Sequence, residues 1–115
     1  MLKTEQPLRY HAKIRIYHTE RNFGPGTVEL MQQVARTGSL SAACKEMGMA
    51  YSKAWKLVKL AEKDLGIPLL EGTRGGEHGG NTVLTEEGQD ILKRYLAFTG
   101  EAKEELDRLF AKHFL

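Results

Sequence analysis

At 115 residues the chain has the ordinary size of a single domain and is long enough to bury a core, and its net charge of +2 with a pI of about 8.7 is too mild to imply a nucleic-acid partner by itself. The one cysteine, Cys44, excludes an internal disulfide and a multi-cysteine zinc site and reads as a small, partly buried apolar residue. No apolar run is long enough to span a membrane and the polar start MLKTEQPLRYHAK does not read as a signal peptide, so a cytoplasmic location is expected.

Residues 10–19, YHAKIRIYHT, alternate, with Ala12, Ile14 and Ile16 on one side and Lys13, Arg15 and Tyr17 on the other. This predicts a half-buried strand that pairs with later strands or with a second subunit. Lys13 and Arg15 are open to two readings, solubilising charge or phosphate contact. Phe23-Gly24-Pro25-Gly26 then turns the chain into a helix over residues 27–37, whose apolar side is Val28, Leu30, Met31, Val34 and Ala35 and which Gly38 stops.

Residues 38–66, GSLSAACKEMGMAYSKAWKLVKLAEKDLG, predict two more helices joined by a corner at Gly48. Ser39 caps the first, and Leu40, Ala43 and Met47 recur at helical spacing. On the second, Ala54, Leu57, Val58, Ala61 and Leu65 form the buried stripe, while Ser52, Lys56, Lys59 and Lys63 lie opposite. Lysines on a helix face often do no more than solvate it, but the small-residue first helix, short corner and basic second helix come in the order of a helix-turn-helix, whose second helix lies in a groove of phosphates and base edges. The earlier helix over residues 27–37 braces the pair.

Ile67-Pro68-Leu69-Leu70-Glu71 and Thr82-Val83-Leu84 predict two short strands with GTRGGEHGGN between them, a β-hairpin wing. Its glycines lack the strand, helix and Lys-Ser or Lys-Thr pair of a nucleotide-binding loop. They let the tip approach a DNA backbone, with Arg74 and His78 as candidate contacts, the alternative being a merely mobile hairpin. Thr85 caps a last helix with Glu86 and Glu87 in its first turn. Its apolar side includes Ile91, Leu92, Tyr95, Leu96, Phe98, Ala102, Leu106, Leu109, Phe110 and Phe114 and extends for roughly 43 Å, more than one small domain covers. A second copy of the chain is the simplest partner for the excess, with Ile91, Tyr95, Phe98, Ala102, Leu106 and Leu109 at the dimer contact. The expected class is therefore mainly α with a small β-hairpin: a winged helix-turn-helix with an N-terminal strand over residues 1–84, and a dimerisation helix over residues 85–115.

The segments GSLSAA, YSKAW, GGEHGGN and LTEEG, in that order, resemble the winged helix-turn-helix of LysR-type regulators and, more specifically, the DNA-binding domain of ModE-type molybdate-responsive regulators. The resemblance covers about residues 24–95. It implies a homodimeric transcription factor for double-stranded DNA, in molybdate- or molybdenum-related gene control, with the second helix in the major groove and the wing on the flanking backbone. Carried onto this chain, Tyr51, Ser52, Lys53 and Lys56 become the principal contacts to bases and phosphates, with Ser39, Lys59, Arg74 and His78 as further candidates. Trp55 reads as packing. Two features depart from the family: Ala50 stands where a serine often caps the helix, a loss of about 1 kcal/mol of local stability, and no molybdate-binding domain follows the long helix, which leaves effector sensing to a separate effector-binding protein or to none. No cofactor or metal is expected: His11, His18, His78 and His113 lack ligand spacing, and no nucleophile-base pair or carboxylate pair suggests an enzyme. The rival function is a winged helix used for protein association, with the long helix as its working surface.

Overall fold

The computed structural model describes residues 6–73 and 81–115. In chain order its elements are α1 (Pro25–Thr37), α2 (Leu40–Met47), α3 (Tyr51–Leu65), β1 (Leu70–Thr73), β2 (Asn81–Leu84) and α4 (Glu86–Phe114). The two strands pair antiparallel with Leu70 opposite Leu84 and Thr73 opposite Asn81. The winged helix-turn-helix read from the sequence is thus the fold observed.

Local chemistry sets the boundaries of the helices. The Ser39 hydroxyl accepts from the Ala42 N–H at 3.1 Å and starts α2. At the corner between α2 and α3, Gly48 takes φ 63°, a conformation that side-chain-bearing residues avoid, and its N–H and that of Met49 return to the last turn of α2. Ala50, with no side-chain cap, precedes α3 as expected. Pro25 occupies the first turn of α1, so that helix begins two residues before the predicted start.

The core lies among the first three helices. Phe23, Leu30, Met31, Val34, Leu40, Val58 and Leu69 are fully buried, and Leu70, Leu84 and Tyr95 close the side facing the wing and α4. Cys44 is buried within this cluster. No described helix is long and apolar enough to cross a membrane. Because α4 runs on past the core, the longest dimension is 61 Å against 29 and 21 Å for the others.

Three expectations need correction. Residues 10–19 form no strand: Ile14 and Ile16 are half-buried and Lys13, Arg15 and Tyr17 exposed, as the alternation implied, but the sole described pairing is a bridge from Ile16 to Phe23. This arm instead runs along α4 in the opposite direction. The Tyr10 hydroxyl donates to Asp107, the Tyr10 ring packs against Phe110 at 5.1 Å, and the Ile14 carbonyl accepts from the Tyr95 hydroxyl at 2.7 Å. Alternation reports that one side of a segment is covered, and a helix covers it as well as a sheet does. Second, β1 begins at Leu70 and not at Ile67, because the Leu69 N–H is held by the Glu62 carboxylate at 2.7 Å instead of by a strand. Third, Tyr95, expected at a dimer contact, is 6% exposed and packs edge-on against Phe23 at 5.4 Å inside its own protomer.

Candidate nucleic-acid interface

The first turns of α3 stand at the open end of the helix-turn-helix corner. Ala54, Val58 and Ala61 are buried against the core, which points the opposite face outward. Tyr51, Ser52, Lys53 and Lys56 are all exposed, Tyr51 to 49%. Lys53 and Lys56 make no ion pair among the described residues. With no side-chain cap on the helix, its first N–H groups add positive partial charge to the same place. Such a surface suits anionic oxygens and the hydrogen-bonding edges of bases.

Trp55 and Lys59 behave differently. The Trp55 ring is half-buried and meets Tyr51 edge-on at 6.4 Å, so the packing role read from the sequence fits its surroundings. Lys59 places its Nζ 4.8 Å from the centre of the Trp55 ring and 3.2 Å from Glu62 Oε1. Its charge is therefore partly committed within the protein. Ser39 is half-buried and occupied as the α2 cap. Arg74 and His78 lie outside the described residues.

Two acidic residues that sequence patterning missed, Glu62 and Asp64, and one backbone bond hold the frame together. The Glu62 carboxylate accepts from the N–H groups of Leu69 and Leu70 at 2.7 and 3.3 Å, which ties the root of the wing to α3. The Thr82 N–H donates to the Gly38 carbonyl at 2.9 Å and ties the other strand to the corner between α1 and α2. Asp64, the penultimate residue of α3, accepts from the Thr19 hydroxyl at 2.6 Å and from the N–H groups of His18, Thr19 and Glu20 at 2.7 to 2.9 Å. The available signal was their position: acidic side chains near a helix C-terminus oppose the helix dipole, so two of them there point to a partner elsewhere in the fold.

The Thr19 hydroxyl, reinforced by the three backbone donors, holds the Asp64 carboxyl well below the usual carboxylate range. A depressed carboxyl stabilises the fold fully above its unfolded pKa, near 4, and that contribution fades as pH falls toward the folded value. We expect the melting temperature of the wild type to drop between pH 5 and pH 2 more steeply than that of Asp64→Asn. Parallel melting curves would remove Asp64 as the anchor of the arm.

The sequence pattern of the family described as bacterial regulatory helix-turn-helix protein, lysR family, matches residues 26–89, more than half of the chain. The chain belongs to this lysR family. The match runs from the first turn of α1 into the first turn of α4 and leaves the arm and most of α4 outside it. Membership places the chain among regulators and not among enzymes.

Among curated relatives of this lysR-family chain, the molybdenum-pterin-binding protein MopB of Rhodobacter capsulatus is 37% identical over 86 residues, which is 74% of this chain and 32% of MopB. The molybdenum transport protein ModE of Azotobacter vinelandii is 33% identical over 82 residues, 71% of this chain and 30% of ModE. The chain thus spans about a third of the length of these relatives. Among solved structures, the DNA-binding domain of CbnR in complex with DNA is similar with a TM-score of 0.59 and 26% identity, covering 76% of this chain and 94% of that one. The resemblance to ModE-type DNA-binding domains read from the sequence is met by the curated relatives, and the broader resemblance to LysR-type winged helices by the family pattern and the solved structure.

Proposed function

We propose that this chain is a sequence-specific, DNA-binding transcriptional regulator that acts as a homodimer in the cytoplasm and controls genes of molybdenum handling. The observation that carries this reading is the exposed quartet of Tyr51, Ser52, Lys53 and Lys56, whose lysines make no ion pair among the described residues, at the uncapped start of a helix held by the corner at Gly48 and by Glu62. Lys53 and Lys56 contact phosphates, and Tyr51 and Ser52 reach base edges in the major groove. Residues 1–84 form the reading unit, with Arg74 and His78 of the wing on the flanking backbone, and residues 85–115 pair it with a second copy. The similarity to a DNA-bound domain of the same family supports the partner, and the ModE relative supports the pathway.

The test is selection of bound fragments from a genomic library at low and at near-physiological salt. Two-fold-symmetric sites that persist as salt rises, near genes of molybdenum handling, are the expected result. Uniform loss of binding at the higher salt would refute sequence-specific recognition and favour protein association through α4.

A further inference from the structure

We infer that the bay between the N-terminal arm and α4 binds a free small amphiphile, one with an apolar body and a single anionic head. The bay is a surface cavity of about 710 Å³, inside the range of roughly 300–1,000 Å³ usual for small-molecule sites.

The path of the arm creates it. The arm bridges to α4 at two places: the Ile14 carbonyl accepts from the Tyr95 hydroxyl, and Tyr10 meets Asp107 and Phe110. Tyr95 and Asp107 lie roughly 18 Å apart along the helix, and the cavity opens between them. Gly100 lines it near the middle, where an added Cβ would meet nothing within 4 Å. A partner's helix or strand laid lengthwise would run into both bridges, whereas a small molecule fits between them.

The lining is graded from one bridge to the other. Beside Tyr95 it is apolar, with Ala12, Ile14, Pro25 and Leu96. Thr99 stands next, and its hydroxyl is spent on the Tyr95 carbonyl at 2.9 Å. Beside Tyr10 the charged and titratable side chains gather: Arg9, His11, Lys103 and Asp107. Asp107, the only acid in the lining, accepts from the Tyr10 hydroxyl and from Lys103 Nζ at 2.9 and 3.2 Å. It is thereby matched to Lys103. Arg9 makes no ion pair among the described residues, so one positive charge at this end stays unbalanced. An anionic head placed there gains a charge-assisted hydrogen bond while its apolar body covers Ile14, Tyr95 and Leu96.

A matched pair of dyes separates head from body. Anilinonaphthalenesulfonate carries the anion, and phenylnaphthylamine has the same rings without it. In fluorescence titrations of the full chain, the sulfonate is expected to bind once per chain and about tenfold more tightly than the neutral dye. Arg9→Ala should abolish that advantage and leave the neutral dye unaffected. Gly100→Leu, whose side chain enters open space, should weaken both dyes by about tenfold or more without loss of helix by circular dichroism. Wild-type binding of both dyes to Gly100→Leu would place the site elsewhere, and equal or absent binding of the two dyes to the wild type would overturn the anionic head. Dye binding that emerges only when dilution splits a dimer would overturn the proposal in favour of a second copy as the occupant. Pelleting of the chain with phosphatidylglycerol vesicles would overturn it in favour of a membrane surface.

Discussion

Changing Lys53 and Lys56 together to alanine is expected to weaken DNA binding by a similar factor at every sequence and to lower the slope of log affinity against log salt by about two. Each ammonium that neutralises one phosphate releases about one counterion, so the slope counts contacts independently of which bases lie beneath them. Both side chains are exposed and without an ion pair among the described residues, so folding stability should stay within about 0.5 kcal/mol of wild type. Ser52→Ala should do the reverse, leaving the slope intact while relaxing preference at one base position by about 1–3 kcal/mol. Lys59→Ala is the internal control. Its Nζ is already shared between Trp55 and Glu62, so its removal should change the slope by less than either of the other lysines does. Fluorescence anisotropy at several salt concentrations, with a selected site and a scrambled one, separates these outcomes. An unchanged slope in the double variant would place the phosphates elsewhere.

What the sequence disclosed and what it withheld divide along the range of the interactions involved. Gly38, Gly48 and Gly66 all stand at helix ends with positive φ, and Ser39 and Thr85 cap the helices that follow them, because turns and caps depend on residues within a few positions of one another. The buried stripe of α3 was legible for the same reason. Glu62 and Asp64 were not, since the N–H groups they hold come from segments up to 46 residues away that carry no matching side-chain signal. Tyr95 shows the limit of periodicity most plainly. Its position on the apolar side of α4 was correct, yet which neighbour meets that side depends on the path of the arm, and the arm brings the Ile14 carbonyl to the Tyr95 hydroxyl. Lys59 was legible as exposed but not as engaged, because its partners depend on side-chain rotamers and not on spacing.

Gly88→Ala is expected to be the most damaging single substitution in the frame, costing about 3 kcal/mol or more of stability. Glycine in the first turn of a helix ordinarily lowers stability relative to alanine, so intrinsic propensity predicts the opposite sign. Packing decides the matter here. A Cβ at this position meets the Leu69 carbonyl oxygen at 2.4 Å and the Thr85 hydroxyl at 3.0 Å. Neither neighbour is free to yield. The Leu69 oxygen accepts from the Thr85 N–H at 3.0 Å, its own N–H is held by Glu62, and its side chain is fully buried. The Thr85 hydroxyl donates to the Pro68 carbonyl at 2.6 Å while accepting from the Gly88 N–H at 2.8 Å. Relieving the contact therefore requires α4 to move away from the root of the wing and breaks the cap that begins it. Denaturant unfolding of Gly88→Ala beside Gly100→Ala, an α4 glycine whose added Cβ meets nothing within 4 Å, isolates the steric part. The second variant should gain up to about 1 kcal/mol from helix propensity. If both variants were stabilised alike, the close approach of α4 to Leu69 would not exist in solution. If Gly88→Ala alone loses stability and DNA binding falls with it, the start of α4 and the reading surface of α3 share one rigid frame, joined through Leu69 and Glu62.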